Sequence, residues 1–205
     1  GQPGAGGAGG ADGAGVTDVR SRRREQTRTE ILEAAWRLSA RHGIAGLSLR
    51  ELAREVGMQA PSLYTYFDSK AAIYDAMFAA GYRELDAALG DIELAGDPVD
   101  VVAGAIAGFV EFCAANVPRY QLLFTRAVPD WTPSPAAYAV SVASYERMTA
   151  QLAEVGIEQQ EDVDLMTALS SGMAAQQLAN DPGGDRWRRL TRQAAEMLMA
   201  HVRSR

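Results

Sequence analysis

Between residues 47 and 67 the chain reads LSLRELAREVGMQAPSLYTYF, and the spacing within it leaves little choice of local fold. Ala53 is small enough for two helices to cross over it, and Gly57, four residues later, can take the positive φ of a tight turn. Leu49, Leu52, Val56, Met58 and Leu63 supply an apolar seam around that turn. Ser48 and Glu51 form a capping box in front of it, with Leu47 and Leu52 placed as its hydrophobic staple. A second helix starts near Ala60 with Pro61 in its first turn, where a missing N–H costs little. The pattern predicts a helix-turn-helix. An ordinary αα-hairpin uses the same small residue and glycine, so the outward residues carry the distinction. Gln59, Ser62, Tyr64 and Thr65 are polar or aromatic and none is acidic, which suits phosphates and base edges.

Charge supports the same direction. The whole chain has a formal net charge of −6, which argues against a protein that coats nucleic acid through bulk positive charge. Yet residues 20–70 hold ten basic and six acidic side chains, whereas residues 71–205 hold ten and eighteen. Arg20, Arg22, Arg23, Arg24 and Arg28 precede the motif as an arm suited to phosphates or a narrow minor groove. Lys70, the chain's only lysine, falls in the first turn of the following helix, where backbone N–H groups already favour an anion.

The rest of the chain is punctuated by helix caps and breakers and shows no period-2 strand, so the fold class is all-α. Nine helices are expected. The first opens on Thr27 with Glu30 as a capping box and exits at Gly43; the fourth, capped by Asp68, runs to about Leu89. Asp97-Pro98 starts the fifth and Pro118 the sixth. The remaining helices fall near 135–155, 161–180 and, capped by Asp185, up to about Val202. Residues 1–19, with eight glycines in their first fifteen positions, are expected to be a disordered tail. Residues 20–70 then form one domain and 71–205 a second.

Residues 28–77, RTEILEAAWRLSARHGIAGLSLRELAREVGMQAPSLYTYFDSKAAIYDAM, resemble the N-terminal domain of the TetR family of bacterial transcriptional regulators. The marks are Gly43 and Leu49 before the motif, Leu63-Tyr64 and Phe67 in the second helix, and Ser69-Lys70 opening the next. The resemblance implies that Tyr64 and Lys70 contact phosphates, while Ser62, Thr65, Gln59 and Tyr66 approach bases. Ser48, Ala60 and Pro61 at the two helix starts, and Arg22, Arg23, Arg24 and Arg28 in the arm, complete the candidate DNA-contacting set. Many members carry His at the place of Tyr66 and Ser or Thr at that of Gln59.

The later helices are rich in bulky and adaptable side chains that by themselves read as core. The resemblance implies a small-molecule cavity among them, with Phe109, Phe112, Cys113, Tyr120, Phe124, Tyr145, Met148, Met166, Thr167, Met173 and Gln176 as candidate lining. Few of these are charged, so an apolar or aromatic effector is expected, oriented by Gln176, Tyr145 and Thr167. One recognition helix offers three or four base contacts, too few to select a genomic site, so a homodimer on palindromic double-stranded DNA is expected. The resemblance places the dimer interface on the last two helices, with Ser171, Ala175, Trp187, Leu190, Ala194 and Leu198 as candidates.

No cofactor, metal site or membrane partner is expected. The single cysteine, Cys113, excludes an internal disulfide, and His42 and His201 have no metal-ligand or nucleophile spacing around them. The acidic run Glu158, Glu161, Asp162 and Asp164 is explained by a helix start. No run of eighteen apolar residues or apolar leader segment is present, and a cytoplasmic location is expected. Two other readings are a helical protein-interaction module with a basic arm and, with less behind it, a helical-bundle enzyme.

Overall fold

Each capped segment is too short to bury its apolar stripe alone, so the segments must pack on one another. The computed structural model describes residues 12–90 and 95–205. Among them are nine α-helices, two short 3₁₀ turns and no strand: α1 (Asp12–His42), a turn at Ile44–Gly46, α2 (Leu49–Glu55), α3 (Ala60–Leu63), α4 (Lys70–Gly90), α5 (Pro98–Ala115), α6 (Val117–Phe124), α7 (Pro135–Glu154), α8 (Gln160–Asn180), a turn at Arg188–Leu190 and α9 (Thr191–Arg203). The all-α expectation holds.

Four side chains cap helix starts, of which the spacing predicts Ser48 and Asp97 but not Asn116 and Ser134. Ser48 accepts from the backbone N–H of Glu51, Asp97 from Val99, Asn116 from Arg119 and Ser134 from Ala137. Three starts differ. The first helix does not open at Thr27, whose hydroxyl donates to the Arg23 carbonyl at 3.1 Å in mid-helix. Instead α1 runs back to Asp12, its first turns supported by the ion pair Asp18–Arg22 at 2.8 Å. Residues 12–19, expected to be disordered, are therefore helical; residues 1–11 of that expected tail lie outside the described residues. Ser69 rather than Asp68 caps α4, accepting from Ala72 N–H at 3.1 Å. The last helix begins at Thr191 and not at Asp185, because buried Gln177 occupies the intervening backbone: its Oε1 accepts from Trp187 and Arg188 N–H at 3.0 and 3.3 Å, and its Nε2 donates to the Gly184 carbonyl at 3.1 Å.

The N-terminal helices share one apolar core with the front of α4, built on Ile31, Ala35, Leu38, Leu52, Leu63, Phe67, Ile73 and Met77. Tyr74 anchors the first 3₁₀ turn by donating to the Ile44 carbonyl at 2.6 Å. Beyond it α5 is the central rod, packed against α4, α6, α8 and α9, while α7 lies along α4. By length and composition α5 alone among the described helices could cross a membrane. Its two acidic residues instead hold the C-terminal segment: Asp100 pairs with Arg192 at 2.5 Å and Glu111 with Arg188 at 2.8 Å. The short α6 touches α4 and α5 on one side and α1 and the Ile44–Gly46 turn on the other.

Candidate nucleic-acid interface and internal cavity

Ala53, 1% exposed, sits where α2 and α3 meet, and Gly57 takes φ 71° in the turn between them. The Met58 N–H donates to the Ala53 carbonyl at 2.8 Å, which closes that turn. Helical hydrogen bonding continues past α3, with the N–H groups of Tyr66 and Phe67 both donating to the Leu63 carbonyl. Leu63 and Phe67 are buried by this arrangement, while Gln59, Pro61, Ser62, Tyr64 and Thr65 are exposed on the opposite side. Tyr64 is 51% exposed. Ser48, Ala60, Tyr66 and Lys70 are half-buried at the edges of that surface. Thr65 donates its hydroxyl proton to the Ser62 carbonyl at 2.7 Å, which leaves its oxygen as an acceptor.

The arm arginines divide into two groups. Arg20, Arg22 and Arg23 are exposed on the outer turns of α1, with Arg22 beside Asp18. Arg24, exposed, and Arg28, half-buried, each also hold the end of the α3 segment. Arg24 donates to the Thr65 carbonyl at 2.5 Å, its guanidinium 5.2 Å from the centroid of the Tyr66 ring. Arg28 donates to the Tyr66 carbonyl and covers the Phe67 ring at 4.2 Å. The carbonyls left over at the end of the α3 segment are thus met by cations, the favourable sign for a helix C-terminus. Lys70 Nζ lies 5.8 Å from the centroid of the Tyr74 ring.

A cavity of about 570 Å³ opens between α4, α5, α7 and α8. Leu89, Val102, Phe109, Phe124 and Met166 give it a largely apolar wall. Tyr82, on the same wall, donates to the Leu123 carbonyl at 3.4 Å, and burial, with Tyr138 adding, pushes its phenol up to about 12. One ion pair interrupts this surface. Asp86 accepts from the Ser144 hydroxyl at 2.5 Å through Oδ1 and from Arg147 through Oδ2.

The sequence pattern described as bacterial regulatory proteins of the tetR family matches residues 31–77. Over 174 residues the chain is 30% identical to the HTH-type transcriptional regulator Rv1816 of Mycobacterium tuberculosis, covering 80% of this chain and 73% of that protein; Mb1846 of Mycobacterium bovis matches with the same figures. The chain belongs to the TetR family. TetR-family members are DNA-binding transcriptional regulators, which sets the enzyme reading aside. Solved structures share the fold at lower identity. The regulatory protein SCO4313 superposes with a TM-score of 0.72 at 21% identity, covering 88% of this chain and 98% of that one. FadR of Bacillus subtilis, solved in complex with stearoyl-CoA, gives 0.63 at 15% identity over 83% and 96%.

In this TetR-family chain Phe109, Phe124, Tyr145, Met148, Met166 and Thr167 line the cavity as expected. Phe112, Cys113, Tyr120, Met173 and Gln176 do not. The ring of Phe112 is covered by the Arg119 guanidinium at 3.7 Å, and Cys113 is fully buried in the core. Tyr120 packs by its ring against Phe124 without reaching the cavity, Met173 is buried elsewhere along α8, and Gln176 is exposed and accepts from Asn180. The polar lining was missed altogether in Asp86, Ser144 and Arg147; the available signal was Asp86 one turn beyond Tyr82 on α4, and Ser144 and Arg147 at helical spacing on α7.

The candidate interface residues also divide. Ala194 and Leu198 are buried within the chain's own core, where α9 packs against α5, and Ser171 lines the cavity. Ala175 and Trp187 are half-buried, the latter under the Arg186 guanidinium at 4.6 Å. Leu190 remains exposed, and so do Leu165 on α8 and Met197 on α9, the last at 66%.

Proposed function

We propose that this TetR-family regulator is a homodimeric repressor of a palindromic operator, released when a small apolar or aromatic effector occupies the cavity. The observation that carries the reading is the exposed edge Gln59, Ser62, Tyr64 and Thr65 on a helix whose opposite side is buried and whose end is held by Arg24 and Arg28. Residues 20–70 serve as the DNA-binding domain and residues 71–205 as the effector-binding and dimerisation domain, working in the cytoplasm. Selecting a genomic site takes roughly 4–10 kcal/mol over non-specific binding, and each good base contact supplies about 1–3 kcal/mol. Two half-sites about 34 Å apart meet that requirement where one helix does not. Exposed Leu165 on α8, Leu190 in the turn before α9 and Met197 on α9 offer apolar area for a second copy.

Effector action then follows linkage. A molecule that binds the form with poor operator affinity more tightly lowers DNA affinity by its own differential affinity. The stearoyl-CoA held by FadR, with its apolar acyl chain, accords with an apolar effector. Selection of bound duplexes from a random pool, followed by a metabolite screen for release, tests the reading. A symmetric motif bound by a dimer supports it; an asymmetric selection, or a monomer at micromolar concentration, overturns it.

A further inference from the structure

We infer that the cavity's ligand carries a hydrogen-bond-accepting head, a carbonyl or carboxylate oxygen, and that Arg147 is the residue that receives it. The inference rests on the cavity being an effector site and adds the polar chemistry of that effector. Asp86 and Arg147 are the only charged residues among the described residues that line the cavity. They are not equally committed. Asp86, its side chain 23% exposed, is held from two sides, by Ser144 at 2.5 Å and by Arg147. Ser144 is itself buried. Arg147 is 55% exposed and meets only Asp86 among the described residues.

A guanidinium has five N–H donors and no acceptor. One of the five donates to Asp86, and because Arg147 lines the cavity its remaining donors are open to a ligand there. A ligand oxygen can take one or two of these in the planar fork geometry that suits carboxylates and carbonyls, with both bonds of Asp86 left in place. A cationic head is less well served: both oxygens of Asp86 already accept one bond each, from Ser144 and Arg147, and a cation there would sit beside a guanidinium of its own sign. The rest of the described lining is largely apolar and aromatic, with the rings of Phe109 and Phe124 edge-on at 5.1 Å between centroids. A ligand with an apolar or aromatic body and one terminal acceptor matches this lining. The volume lies within the roughly 300–1,000 Å³ in which proteins hold small molecules.

The test uses three probes with one body: biphenyl-4-acetate, biphenyl-4-acetamide and 2-(biphenyl-4-yl)ethylamine, titrated calorimetrically into the full DNA-free chain. The acetate and the acetamide are expected to bind at least about tenfold more tightly than the ammonium, the difference between them separating a charged from a neutral acceptor. Arg147→Leu should remove the preference while the shared body still binds; Arg147→Gln makes the same comparison if the leucine variant does not fold. A purely structural latch between α4 and α7 predicts instead an equal loss for all three probes. Equal or tighter binding of the ammonium, a preference that survives loss of Arg147, an equal loss for all three probes, or no binding of any probe overturns the inference. Failure to select symmetric DNA in the separate duplex experiment would overturn the repressor reading and leave the head-group ranking intact, so the two failures are distinct.

Discussion

Arg28 of α1 lies 4.2 Å over the ring of Phe67 and donates to the carbonyl of Tyr66, so the helix that precedes the motif grips the end of the segment that presents it. The contact spans 38 residues of sequence. It joins a charge-assisted hydrogen bond to a cation–π contact at a part-buried site, interactions of about 1.5–3 and 0.5–2 kcal/mol that overlap in one side chain. Arg28→Ala is expected to lower unfolding free energy by about 1–3 kcal/mol in a denaturant titration and to weaken binding to all duplexes alike. Arg28→Lys should restore only part of the stability, because an ammonium cannot both stack flat on the ring and donate in a plane.

Tyr64 and Ser62 should separate affinity from sequence choice. Tyr64 is exposed and packs on little, so Tyr64→Ala should leave thermal stability within about 0.5 kcal/mol and weaken binding to every duplex. Ser62→Ala should cost about 1–3 kcal/mol of discrimination at one base position and leave the others unchanged, as read by competition with single-substituted operators. Equal effects of the two changes on all sequences would contradict this division.

Gly81 marks a close approach between α4 and α6. A Cβ placed there would lie 2.6 Å from Leu123 Cδ1, inside contact distance. Gly81→Ala is expected to destabilise by about 1–3 kcal/mol through overpacking, with the gain in helix propensity offsetting part of it. Leu123→Ala should cost less in the Gly81→Ala background than in the parent chain, so that the double-mutant cycle shows coupling.

Cys113 gives the stability curve an alkaline shoulder. Burial pushes its thiol from 9.0 up to about 12, the nearby Arg119 opposing only in part. Below pH 9 the folded and unfolded chains both keep the proton and this stabilisation is complete. Between pH 9 and about 12 only the unfolded chain releases it, so stability falls with a slope of up to about 1.4 kcal/mol per pH unit. Cys113→Ala should flatten the curve between pH 9 and 10 in urea titrations; above pH 10 the phenol of Tyr82, also raised to about 12, adds its own decline.

Features that depend on a few neighbouring residues were legible in the sequence. The crossing at Ala53, the turn at Gly57 and the caps at Ser48 and Asp97 are set by interactions spanning two to five residues. Adjacent cap-formers were harder: Asp68 and Ser69 both suit an N-cap, and only the path of the chain selects the second. The bonds from Arg24 and Arg28 to Thr65 and Tyr66, and from Arg147 to Asp86, close over 38 to 61 residues and leave no periodic trace. Periodicity could not tell cavity wall from core either. Phe109 and Phe112 stand three positions apart on α5 and both point inward, yet one faces the open space and the other the Arg119 guanidinium.

The unbroken course of α1 from Asp12 to His42 makes its outer arginines an outrigger and not a tether. Eight residues separate Arg20 from Arg28, which at about 1.5 Å per residue fixes a span of roughly 12 Å along one axis. Bearing as well as reach is then specified. One residue inserted ahead of Arg24 would swing the outer guanidinium groups by about 100° around that axis without altering their number, a change to which a limp strand of the same composition would be indifferent.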